Sequence, residues 1–129
     1  MAVNADDLRA IPLFSELDEE ALGFLVGHMQ LVSVPIGGHI VKAGDYAYKF
    51  FVILDGTAVV RRDNQHVASL DAGEVFGETA LLDDIGRNAD VVAISPMTLA
   101  ALMSWDFRDA LNRFPEFRRR IDDLVARRS

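Results

Sequence analysis

Apolar residues recur at helical spacing at the two ends of the chain and at strand spacing between them. Near the start, Leu8 and Ile11 lead into Pro12, which ends a short first helix because the residue before a proline avoids the α region. Leu13, Phe14 and Leu17 form an apolar clasp. Asp18 then reads as an N-cap, with Glu19 and Glu20 in the first turn where the helix dipole favours negative charge. Leu22, Leu25, Val26 and Met29 lie at i, i+3, i+4 and i+7, one face of an amphipathic helix.

From about Gln30 the period shortens. The runs LVSVPI, HIVKA, YKFFVIL, TAVVRR, HVASL, EVF, DVVAI and TLAALM are rich in β-branched and aromatic residues and separated by turn signals. Eight short strands at this spacing predict an all-β sandwich or barrel. Asp55-Gly56 carries a two-residue hairpin signal, and Asp63-Asn64 marks another reversal. Gly37-Gly38, Gly44 and Gly73 mark further turns. Residues 97–103 are helix formers by propensity, but the run is short and follows Ser95-Pro96, so it is assigned as a strand. Helix returns after Ser104, the expected N-cap of WDFRDALNRF, and Pro115 opens another. There Phe117, Ile121, Leu124, Val125 and Arg128 share a face, and Arg118–Asp122 and Arg119–Asp123 are spaced for i,i+4 ion pairs.

The 129 residues fit one domain. Half are hydrophobic, enough for one core. A net charge of -7 argues against a surface that coats nucleic acid, which needs a basic excess. With no cysteine, disulfides and cysteine-based zinc or catalytic sites are excluded. The acidic MAVNADDLRA lacks the basic start of a secretory signal, and no apolar run approaches the roughly 20 residues of a membrane helix. The expectation is a cytoplasmic protein with no membrane segment.

The segment with the most chemistry is Phe76-Gly77-Glu78-Thr79-Ala80-Leu81-Leu82, followed by Arg87-Asn88-Ala89. A strand ends at a glycine and a helical turn begins. Such a start presents free N–H groups and a positive dipole end to an anion, and Gly77 lets backbone approach a ligand. Glu78 supplies an acceptor for hydroxyl groups, and Arg87 supplies the fork of donors that suits a phosphate. A sugar phosphate or a nucleotide satisfies both. A Glu and an Arg nine residues apart equally suit an ordinary ion pair.

Phe76-Gly77-Glu78-x-Ala80-Leu81 with Arg87-x-Ala89 resembles the phosphate-binding cassette of cyclic-nucleotide-binding domains, found in catabolite activator proteins and in regulatory subunits of cAMP-dependent protein kinase. LRAIPLFSEL, Gly38, Gly44-Asp45, Gly56, Gly73 and WDFRDALNRFPEF extend the resemblance over almost the whole chain. It implies one domain over residues 1–129: helices over 1–30, an eight-stranded antiparallel, jelly-roll-like β-roll over 31–103 with a cassette over 76–89, and helices over 104–129. It further implies a regulatory sensor that catalyses nothing, binds cAMP ahead of cGMP, needs no cofactor and acts on an unidentified effector protein or domain. By resemblance Glu78 accepts from the ribose 2′-hydroxyl and Arg87 pairs with the cyclic phosphate. Phe76, Gly77, Thr79, Ala80, Asn88 and small Ala89 complete the ligand site. Ile121, Leu124 and Val125 are the apolar lid candidates; the alternative is a last helix permanently packed on the roll.

Three positions depart from the family pattern. Asn88 stands where Ser or Thr is common; a hydroxyl there favours cGMP, so its absence leans towards cAMP. Asp90 replaces a small or hydroxyl-bearing residue, and strand alternation turns it outwards if Ala89, Val91 and Ala93 face in. Thr79 replaces an aliphatic residue. These departures leave an alternative, a protein-interaction domain that kept the roll and lost the nucleotide.

Elsewhere the chemistry is sparse. His28, His39 and His66 are scattered, so no metal site is expected, and no nucleophile motif such as G-x-S-x-G occurs. Arg118, Arg119, Arg120, Arg127 and Arg128 make the last helix locally basic, but Asp122 and Asp123 interrupt them and a solvated face is expected rather than nucleic-acid contact. Trp105 is expected to be a packing residue rather than a platform for a base.

Overall fold

The computed structural model describes residues 3–44, 49–78 and 89–128. Two helices, α1 (Ala5–Arg9) and α2 (Glu19–His28), precede eight strands: β1 (Gln30–Val34), β2 (His39–Val41), β3 (Lys49–Asp55), β4 (Ala58–Arg62), β5 (Gln65–Leu70), β6 (Val75–Phe76), β7 (Asp90–Ala93) and β8 (Met97–Met103). Two helices follow, α3 (Ser104–Arg113) and α4 (Pro115–Arg128). The strands form two four-stranded antiparallel sheets, in the orders β1-β8-β3-β6 and β2-β7-β4-β5. This is the β-roll expected from the sequence, with helices at both ends of the chain.

Two cores explain the apolar pattern. Inside the roll, Phe51 and Ile53 of β3 meet Leu99 and Ala101 of β8, with Phe76, Val91 and Ala93 from the other strands. On the opposite face of the same strands, Phe50, Val52, Ala100 and Leu102 pack under the helices, against Leu8, Phe14, Leu22, Leu25, Phe107, Phe117 and Ile121. Strands β3 and β8 are therefore buried on both faces. This is why residues 97–103 run apolar without alternation: a strand covered on both faces needs no polar side. Phe50 stacks on Phe107 at 4.8 Å between ring centroids, and Phe107 meets Phe117 edge-on at 6.0 Å, which ties the sheet to both α3 and α4.

The N-cap assignment for α2 holds. Oδ1 of Asp18 accepts from the Ala21 N–H at 2.9 Å, and Ala21, Leu22 and Leu25 are buried behind it. Asp18→Ala leaves one N–H of the first turn without that acceptor, and a loss of about 1 kcal/mol is expected in urea unfolding. An unchanged midpoint would show that water replaces the cap.

Four local expectations are corrected. Asp55-Gly56 is not a hairpin: β3 and β4 lie in different sheets, and Gly56, at φ +97°, carries the chain from one sheet to the other. The true hairpin is at Asp63-Asn64, both at positive φ, between the paired strands β4 and β5. Ser104 is not the cap of α3. Met103 holds that position, no side chain caps it, and Ser104 is the first helical residue. Arg119 pairs with Glu116 rather than with Asp123, whereas Arg118 and Asp122 do pair, at 3.3 Å. Trp105 is 59% exposed, so it is not a packing residue.

Candidate functional site

The candidate site begins where β6 stops. A tight turn sets its angle: the Asp71 N–H donates to Oε2 of Glu74 at 2.7 Å, and the Glu74 N–H returns to the Asp71 carbonyl at 3.0 Å. Strand β6 then adds to the edge of β3, with Phe51 opposite Phe76. The Phe76 ring stacks on Phe51 at 4.9 Å and is 6% exposed, so its side chain belongs to the interior of the roll. Gly77 follows at φ +99°, a left-handed conformation that glycine adopts without steric cost. That turn delivers Glu78, already helical in backbone, to a buried position.

Glu78 is 1% exposed. Nη1 of Arg128, the last residue of α4, donates to its Oε1 at 2.5 Å. Its Oε2 is buried and has no hydrogen-bond partner among the described residues. An ionised carboxylate accepts at both oxygens, and leaving one unmet in a buried place costs free energy. The arrangement therefore holds an acceptor in reserve for a donor. Arg128 also borders a cleft of about 750 Å³ between Pro12 and Leu13, the turn at residues 73–75, and α4.

On the far side of the cassette, Ala89 is buried and leads into β7. Val91 and Ala93 face the roll interior, as alternation predicts. Asp90 is half-buried and turned to the segment after β2: its Oδ1 accepts from the Ala43 N–H at 2.7 Å. A backbone donor thus holds the Asp90 carboxylate towards the segment after β2. Thr79, Ala80, Arg87 and Asn88 lie outside the described residues.

The lid candidates divide. Ile121 is fully buried in the helical core. Leu124 and Val125 are half-buried against the same core, and beyond them Ala126 and Arg127 are exposed. Helix α4 is thus held by its first half and more loosely by its last turn. Its charged face is a set of ion pairs: Glu116 accepts from Arg119 and Arg120, and Arg120 also reaches Glu16. The hydrogen bond from Arg119, with help from Arg120, holds the Glu116 carboxyl below the usual carboxylate range.

Sequence reasoning did not single out Arg128 as a site residue. Its signal was present: it is the one cation on the face shared by Phe117, Ile121, Leu124 and Val125. A cation on an apolar stripe calls for a buried acid, but the acid lies 50 residues away and only the fold brings it near.

Residues 31–114 match the family model of the cyclic nucleotide-binding domain. The chain belongs to that family. Among its relatives is a cyclic nucleotide-gated potassium channel of Rhizobium etli, 34% identical over 107 residues, a match covering 83% of this chain and 30% of the channel. The cyclic AMP receptor protein of Thermus thermophilus is 29% identical over 126 residues, covering 94% of this chain and 58% of the receptor. Among solved structures, the regulatory subunit of a cAMP-independent protein kinase A from Trypanosoma brucei superposes with a TM-score of 0.82 at 27% identity, covering 96% of this chain and 45% of that one. The domain accordingly spans about half the length of these relatives or less. Among the described residues no helix is long and apolar enough to cross a membrane.

Proposed function

We propose that this cyclic nucleotide-binding domain is a working cytoplasmic sensor, binding cAMP in preference to cGMP with Glu78 as the ribose acceptor and Arg87 as the phosphate partner. The observation that carries the reading is the buried Oε2 of Glu78, without a partner among the described residues, directly after the positive-φ Gly77. A ribose hydroxyl is a donor of the right kind for that oxygen. The bond between Asp90 and Ala43 supports the reading too, because it holds that carboxylate towards the segment after β2. Preference for cAMP follows from Asn88, which lacks the hydroxyl that the family pattern associates with cGMP. The domain catalyses no reaction and needs no cofactor; its output passes to an effector protein or domain.

The second reading, an interaction domain without nucleotide, is favoured by one observation: Arg128 already engages Oε1 of Glu78. The trypanosome relative is described as the regulatory subunit of a cAMP-independent protein kinase A, so the same roll occurs in a kinase that does not depend on cAMP.

Calorimetric titration with cAMP and cGMP separates the two. The sensor shows saturable one-to-one binding, tighter for cAMP, and a melting temperature that rises with nucleotide concentration. Flat titrations with both nucleotides at millimolar concentration favour the interaction domain.

A further inference from the structure

We propose that the end of the roll opposite the cassette is a docking face for a short protein segment that combines apolar side chains with arginine or lysine. The proposal stands apart from the nucleotide reading. Strand β7 starts at Asp90, next to the cassette, and ends at Ala93, beside this face, so the two sites lie at opposite ends of one strand.

Several turns meet there. Val34 pairs with Met97, which sets Pro35 beside Pro96. The Gly37 N–H donates to the Ala93 carbonyl at 2.8 Å and the Ala93 N–H to the Gly38 carbonyl at 2.9 Å, which brings Ile36 up to Ile94. Thr57 joins the remaining turns: its carbonyl accepts from the Ile94 N–H, and its hydroxyl donates to Asp71. Pro35, Ile36, Ile94 and Pro96 are all exposed, Ile36 at 66% and Ile94 at 46%. Isolated apolar residues on a surface are ordinary, but here two of the four large exposed ones among the described residues share one place. The prolines fix φ and the cross-turn hydrogen bonds hold the backbone, so little ordering is needed when a partner docks.

Charge identifies the occupant. Residues 33–38, 53–57, 70–74 and 93–98 contain no Lys or Arg, but they include Asp55, Asp71 and Glu74, all exposed. An apolar centre rimmed only by carboxylates repels the negative surface of a membrane that carries anionic lipids. A second copy docked through the same face would set these carboxylates against their own counterparts, which is costly. A segment that places leucine-like side chains on Ile36 and Ile94 and guanidinium or ammonium groups at Asp55 and Asp71 satisfies both the centre and the rim.

The test is amide chemical-shift titration of the full chain with three short capped peptides, alternating leucine with arginine, serine with arginine, and leucine with glutamate. The leucine–arginine peptide is expected to shift residues 33–38, 55–57 and 93–97 saturably and to bind about tenfold more tightly than either of the others. Ile36→Ser with Ile94→Ser is expected to weaken it about tenfold, with the melting curve unchanged because both side chains are exposed. Asp55→Asn with Asp71→Asn is expected to weaken it about threefold at low salt and to flatten its salt dependence; the new amide oxygen at 71 still accepts from Thr57. Equal binding of the serine–arginine peptide, or shifts scattered over the protein and indifferent to the isoleucine substitutions, would mean general attraction to an acidic protein and overturns the proposal. Equal binding of the leucine–glutamate peptide, or no shift with any peptide at millimolar concentration, overturns it as well. Two further measurements cover the other occupants. A dimer in analytical ultracentrifugation that the isoleucine substitutions abolish assigns the face to a second copy, and cosedimentation with phosphatidylcholine vesicles that they abolish assigns it to a membrane; either result overturns docking of a basic segment.

Discussion

Arg87→Ala is expected to weaken cAMP binding roughly 30-fold or more, with the melting curve of the free protein unchanged. The magnitude follows from removing one partner of a desolvated charge pair, which costs about 2–5 kcal/mol, at about 1.4 kcal/mol per decade of affinity. Arg87 is the cation of the Arg87-x-Ala89 motif, and the family resemblance assigns it the cyclic phosphate. Glu78→Ala tests the other end of the ligand and is distinguishable from it. It is expected to reduce cAMP affinity while leaving the affinity for a 2′-deoxy analogue nearly unaltered, because the analogue has no 2′-hydroxyl to lose. Arg87→Ala acts on both ligands alike, because both keep the phosphate. Equal affinity for wild type and Arg87→Ala, with superimposable melts, would remove the phosphate site from the cassette.

The largest expected effect on stability is at Gly56. A Cβ built there lies 2.5 Å from the Pro96 carbonyl oxygen and 2.9 Å from the Met97 Cα, both backbone atoms that no rotamer change can move. The φ of +97° adds strain for any other residue. The surroundings are held from several sides. The Ile94 N–H donates to the Thr57 carbonyl at 3.0 Å, the Thr57 N–H to Ser95 Oγ at 2.9 Å, and the Thr57 hydroxyl to Asp71 at 2.9 Å. Gly56→Ala is therefore expected to cost about 3 kcal/mol or more in urea unfolding, the sum of a left-handed alanine and a forced backbone shift. Gly73→Ala is the control. Its φ is +92°, but nothing lies within 4 Å of the added carbon, so strain alone, about 1 kcal/mol, remains. Equal losses at the two positions would show that the crossover relaxes around the methyl group.

The two turns show what short-range chemistry can and cannot specify. Asp55-Gly56 and Asp63-Asn64 both announce a reversal, and a backbone at positive φ is found at each. Whether the flanking strands then pair with each other is a separate matter. It depends on where each strand buries its faces, and β3 is buried on both while β4 emerges into solvent at Arg61 and Arg62. The first turn therefore became a crossover between sheets and the second a hairpin. The start of α3 follows the same logic: Ser104 has the chemistry of a cap, but β8 runs directly into the helix and draws Ser104 into its first turn.

Neighbours along the chain specify the eight strands, the helices at each end, the Asp18 cap, the outward turn of Asp90 by alternation, and the cassette motif that places Glu78 after Gly77. These depend on periodicity, on φ preferences and on side chains reaching a few residues away. Packing in three dimensions sets which strands share a sheet, makes Phe76 a core residue of the roll, commits Ile121 to the helical core and brings Arg128 to Glu78. Burial and charge pairing act between surfaces rather than between sequence neighbours. A carboxylate and a guanidinium 50 residues apart have no periodic relation to reveal them until a folded helix carries one to the other.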